Sequence, residues 1–181
     1  MTYLYSLALM LLMSVDCCIV GSSAVAQSSG QPALDALVPR VSSALLAKRM
    51  QSDGRMLIYD VREREEFAVS RIPGAMYVNP ATPAELFLAR IAGRARGATV
   101  VFYCAIGMRS TDFAQGVYHE LMARGVLNVS VLKGGIIDWH NQGLPLVDLN
   151  GPSKFVHPFN DELKNRLKNP EFARMHPINY R

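Results

Sequence analysis

The run Thr-Val-Val-Phe-Tyr-Cys-Ala-Ile-Gly-Met-Arg-Ser over residues 99–110 constrains this chain more than any other. Its first five residues are all β-branched or aromatic, which reads as a short buried strand. Cys104 follows at the strand's carboxyl end. The spacing predicts Ser110 as the N-cap of a helix with Phe113, Ala114, Val117, Leu121 and Met122 on one face, stopped by Gly125. A cysteine thus opens a tight loop between a buried strand and a helix start. Loop amides there can converge on one sulfur, and the helix end adds partial positive charge. Such surroundings favour a thiolate, the nucleophilic form, so Cys104 is a candidate catalytic residue.

The same alternation organises the rest of the chain. Apolar runs at 38–41, 56–61, 76–78 and 128–132 read as further strands. Helices are expected from Ser42 or Ser43 through Met50, over 63–70, from Pro83 through Ile91, and from Gly134-Gly135 to a stop at Gly143. Ser52-Asp53-Gly54 reads as a turn and 93–97 as a basic turn. Strands alternating with helices at this spacing point to an α/β fold, a parallel sheet covered on both faces. The 181 residues leave room for one ordinary domain with a good core.

The amino terminus stands apart. Residues 4–20 are almost wholly apolar, and Ala24-Val25-Ala26 is a small-x-small cleavage pattern, so 1–26 reads as a secretory signal peptide cut before Gln27. The expected location is outside the cytoplasm, in the periplasm. The alternative is an uncleaved anchor, although 17 residues containing Asp16 are short for a spanning helix. Cleavage would remove Cys17 and Cys18 and leave Cys104 as a single thiol, unable to form an internal disulfide. A lone cysteine in an oxidising compartment is either buried and inert or kept for its chemistry. Its place at a strand end argues for chemistry.

Residues 27–33 form a Ser/Gly/Gln-rich linker, 34–147 the domain, and 148–181 a polar, basic extension with one expected helix over 161–167. Whether that extension wraps the domain or contacts a partner stays open at this level. The formal charge of +4 becomes +5 once Asp16 leaves with the signal. That supports a modest attraction for small anions or an acidic partner, and no nucleic-acid stripe accompanies it. His119, His140, His157 and His176 show no ligand spacing, so no metal and no cofactor is assigned.

Three segments in order carry a resemblance. Asp60-Val61-Arg62, Glu66-Phe67 and Ile72-Pro73-Gly74-Ala75 resemble the first rhodanese signature. Cys104-x-x-Gly107-x-Arg109-Ser110 is similar to the rhodanese active-site loop, and Leu132-x-Gly134-Gly135-x-x-x-Trp139 to the glycine–tryptophan segment that follows it. The resemblance implies a three-layer α/β/α domain around a central, mainly parallel five-stranded sheet, with a persulfide-forming Cys104. It implies a thiosulfate sulfurtransferase that moves a sulfane sulfur from thiosulfate or a related donor to cyanide or a thiol. A protein acceptor is the further partner considered. The chain departs from the pattern at Ala105, where many active members carry a basic residue, and at Arg71, where the family often has His.

The residues can be given roles on that basis. Ala105, Ile106, Gly107, Met108 and Arg109 form the loop whose amides would stabilise a persulfide anion. Arg109 is either an anion clamp or the partner in a salt bridge that supports the loop. Asp60 and Arg62, at the same sheet rim, and Ser110 are supporting residues. Trp139 is expected to anchor the core. Four residues separate Cys104 from Arg109, one fewer than in the rhodanese-fold phosphatases, which favours a sulfur atom over a phosphoryl group. The alternative from another class is a non-catalytic or sulfur-carrying module that binds a partner protein.

Overall fold

Five short strands alternate in side-chain direction, and each face of the sheet they form buries a different set of residues. The computed structural model describes residues 37–178, Asp53 excepted. The segments read as signal peptide and linker, the start of the domain at Leu34, and Cys17 and Cys18 lie outside the described residues.

The elements are β1 (Arg40–Val41), α1 (Ser43–Arg49), β2 (Met56–Asp60), α2 (Arg64–Val69), β3 (Met76–Tyr77), α3 (Ala84–Ala95), β4 (Thr99–Tyr103), α4 (Met108–Ala123), β5 (Asn128–Leu132) and α5 (Gly135–Asn141). The strands form one sheet of order β1-β5-β4-β2-β3, with every pair parallel. β4 lies at its centre, so the residue after Tyr103 emerges mid-rim.

Because successive strand residues face opposite ways, Leu57, Tyr59, Val100, Phe102, Val129 and Val131 pack with α3 and α4. Ile58, Val101, Tyr103 and Leu132 pack on the other face with Leu46 of α1 and with Ile136, Ile137 and Trp139 of α5. The result is the three-layer α/β/α arrangement expected. On the first face Phe102 contacts the rings of Tyr59, Phe87 and Phe113 at centroid distances of 5.5–5.7 Å, a geometry that adds to area burial. Trp139 is fully buried and donates from Nε1 to the Pro145 carbonyl at 2.9 Å.

On this side of the sheet one helix boundary and one buried position differ from expectation. α3 continues through Gly93 to Ala95, because Ile91 and Ala95 are both buried at a spacing of four and packing outweighs the glycine's poor propensity. The turn falls instead at Arg96 and Gly97, where φ is +70°. Met122, expected on the buried face of α4, is 38% exposed, whereas Ala114, Val117 and Leu121 are buried.

The extension folds back on the domain. β6 (Leu146–Val147) pairs antiparallel with β7 (Pro152–Ser153). A short helix, α6 (Asp161–Lys164), and a 3-10 turn (Pro170–Phe172) follow. Val156, Leu163 and Leu167 are buried in the same cluster as Trp139. α6 ends earlier than expected. Asn141 explains this: its Nδ2 donates to the Arg166 carbonyl and its Oδ1 accepts from the Lys168 amide, so the backbone there bonds to α5 instead of continuing a helix.

Candidate functional site

Cys104 lies directly after β4 and is 1% exposed. Its loop is held from behind. The Ile136 amide donates to the Cys104 carbonyl at 2.9 Å and the Ile137 amide to the Ala105 carbonyl at 3.1 Å. Both amides come from the first turn of α5, whose own donors have no intrahelical partner. With those carbonyls turned toward α5, the loop can direct N–H groups toward the sulfur. The Gly107 amide does so, donating to Cys104 Sγ at 3.1 Å.

Gly107 has φ +106°, a conformation that side chains rarely adopt, and it forms the N-cap of α4. The helix therefore starts at Met108, three residues before the start an N-cap at Ser110 would give, and Ser110 is not its N-cap. Ser110 lies in the first turn with its side chain turned inward. Its Oγ is 3.7 Å from Cys104 Sγ and 3.1 Å from the Gly107 carbonyl. That carbonyl already accepts from the Thr111 hydroxyl at 2.7 Å and the Thr111 amide at 3.1 Å. Two lone pairs are thereby engaged, which leaves the single Ser110 proton available for the sulfur.

Arg109 forms a two-pronged pair with Glu66, Nη1 to Oε2 at 2.7 Å and Nη2 to Oε1 at 3.0 Å. Of the two roles open to Arg109, the structure shows the salt bridge. Glu66 also accepts from the Glu63 amide at 3.0 Å, tying the loop to α2. Burial would raise the Glu66 pKa, but the bond from Arg109 and the charge of Arg62 outweigh it and leave the carboxyl below its ordinary value. Phe159 lies on the other side of Arg109, its ring centroid 4.6 Å from the guanidinium carbon.

Asp60 and Arg62 form a fully buried ion pair at the same rim, with Nη2 2.6 Å from Oδ2 and Nε 2.9 Å from Oδ1. Arg62 also donates to the Ser70 carbonyl, fastening the end of α2. Burial opposes the Arg62 charge, and Asp60 more than offsets it, so its pKa lies above the ordinary value. Neither residue faces solvent, which makes both supports of the rim. Among the described residues, no group of three or more His, Cys, Asp or Glu side chains is placed to hold a metal.

The rhodanese-like domain model matches residues 43–142. The chain belongs to the rhodanese-like family. It is 33% identical over 115 residues to a sulfurtransferase of Allochromatium vinosum, across 64% of this chain and all of that protein. It is 29% identical over 108 residues to a putative sulfurtransferase of Bacillus subtilis, across 60% of this chain and 96% of the relative. These relatives place it in a sulfurtransferase family. A Rhodopseudomonas palustris protein of unknown function, described as a possible tyrosine phosphatase, shares the fold at 24% identity with a TM-score of 0.51, over 64% of this chain and 89% of that one.

The rhodanese-like domain thus brings together Cys104, its loop, Ser110, Arg109, Asp60 and Arg62, all singled out in the sequence. The sequence reading missed Glu66 as the partner of Arg109, although it lies within the first signature. It also missed His157 and Phe159, which come from the extension, outside the span that the family model matches.

Proposed function

We propose that this protein is a sulfurtransferase working through a persulfide on Cys104. The observation that carries the reading is the convergence of the Gly107 amide and the Ser110 hydroxyl on Sγ, in a loop set between a buried strand and a helix start. The Cys104 thiolate attacks the outer sulfur of a sulfane donor such as thiosulfate. A new sulfur–sulfur bond forms, the donor's own breaks, and its electron pair leaves with sulfite. The persulfide anion takes the place that the Gly107 amide and Ser110 address, much as an oxyanion hole receives oxygen. Cyanide or a thiolate then takes the outer sulfur and returns Cys104 as thiolate.

Two features support sulfur as the transferred atom. The loop has four residues between Cys104 and Arg109, and Arg109 is engaged by Glu66 instead of reaching over the loop. The test is the intact mass of the protein after incubation with thiosulfate, beside Cys104→Ser. A gain of about one sulfur mass, removed by cyanide and absent from the variant, is the expected result. No adduct from thiosulfate or any other sulfane donor would overturn the reading in favour of a partner-binding module. The same spectrum reads the amino terminus: a chain starting at Gln27 is expected if residues 1–26 direct export.

A further inference from the structure

Phe159 combines two features that are costly together. It is the only non-glycine residue with positive φ among the described residues, at +77°, and as a large apolar residue it is 45% exposed. A bulky residue in that conformation costs on the order of 1 kcal/mol or more and persists only where its surroundings enforce it. Here they do. On one side His157 is 7% exposed and accepts the Phe159 amide at Nδ1, 2.9 Å away. On the other, Asn160 caps α6 through the Leu163 amide, and Leu163 is buried. The extension is thus pinned on both sides of a residue whose ring it holds over Arg109.

The consequence concerns charge at the mouth of the Cys104 loop. Arg62 is matched by Asp60, and Arg109 by Glu66 below and the Phe159 face above. Ala105, Ile106, Gly107 and Met108 bring no charge, and Met108 is 69% exposed. Lys133 at the end of β5 is exposed, where solvent and salt screen it. Both arginines are paired with carboxylates, and Arg62 Nη1, which has no hydrogen-bond partner, is buried away from solvent. A dianionic donor therefore meets no free guanidinium there, while an apolar group finds Met108 and the Phe159 ring.

Resting on the persulfide reading above, we propose that Phe159 is a specificity-determining residue, and that the site selects sulfane donors with one negative charge and an apolar group over thiosulfate. Benzenethiosulfonate isolates the difference, because it presents the same outer sulfur with a phenyl group in place of one charged oxygen. The Cys104 thiolate takes that sulfur, the donor's sulfur–sulfur bond breaks, and benzenesulfinate leaves with the electron pair.

The experiment compares kcat/KM for the two donors in wild type, Phe159→Ala, Phe159→Gly and Phe159→Tyr. Wild type is expected to favour benzenethiosulfonate by roughly tenfold or more, the scale of one good aromatic contact and one unfavourable charge. Both small substitutions lower that ratio by about tenfold, through the KM of the aryl donor, and Phe159→Tyr restores it. Phe159→Gly relaxes the backbone while removing the ring, so its agreement with Phe159→Ala separates the ring from a folding defect. A ratio that stays within about twofold, or equal losses on both donors, overturns the proposal. Failure of both donors to load sulfur on wild type overturns the sulfurtransferase reading and this proposal with it.

Discussion

Glu66 is one buried carboxylate serving two elements: it bonds the α2 start through the Glu63 amide and the Cys104 loop through Arg109. Its pKa lies below the ordinary 4.5, so its contribution to stability is complete above about pH 4.5 and is lost as pH falls toward the folded value. Glu66→Gln is expected to lower stability at pH 7 by about 1.5–3 kcal/mol, the scale of charged hydrogen bonds, and to flatten the decline below pH 4.5. Urea unfolding of both proteins at pH 7, 4.5 and 3.5 checks this; equal acid slopes would locate the acid sensitivity elsewhere. The sequence made Asp60–Arg62 legible because the two lie two positions apart at a strand end. The Arg109–Glu66 pair spans 43 positions, and only the parallel order of β2 and β4 brings it together.

At the scale of elements, the cradle depends on how closely α5 approaches the loop. A Cβ on Gly135 would lie 2.4 Å from both the Cys104 and Ala105 carbonyl oxygens, and its φ is +60°. Gly74 has a similar φ of +75° and nothing within 4 Å. Gly74→Ala is therefore expected to cost about 1–2 kcal/mol, the backbone share alone. Gly135→Ala adds about 1–3 kcal/mol of overpacking to that and pushes the carbonyls, and with them the Gly107 amide, out of place. Paired thermal unfolding and sulfur-loading measurements separate the two: activity should survive the first change and fail in the second. If both variants load sulfur alike, the approach of α5 is not what shapes the loop. The glycine pair was legible as a helix start, since it sits between an apolar strand and an apolar helix face. The α4 start was less so. A serine in the right place outweighed Gly107 on paper, whereas the left-handed turn at Gly107 fixes where the helix begins.

Taken as a whole, the molecule closes its second face with residues that carry little pattern. The central sheet was readable because β2 and β4 are dense apolar runs and β5 alternates valines with polar residues. In the extension, Leu163 and Leu167 lie four apart within the helix expected over 161–167 but are flanked by charged residues, and Val156 follows Phe155 with no repeating pattern, so the sequence does not show which surface they cover. His157 lies among them, and its Nδ1 must be unprotonated to accept the Phe159 amide. Burial lowers its pKa below the ordinary 6.5; Glu66 opposes that shift, while Arg62 and His176 reinforce it. An unfolded chain then binds the proton more readily than the folded one, so this contribution is complete above about pH 6.5 and declines as pH falls through the folded value. His157→Asn keeps an acceptor for the Phe159 amide and removes the titration. Between pH 7.5 and 5.5 wild type should lose stability relative to this variant, and the donor preference should weaken over the same range in wild type alone. A pH profile shared by both proteins would show that the extension stays docked without help from the neutral imidazole.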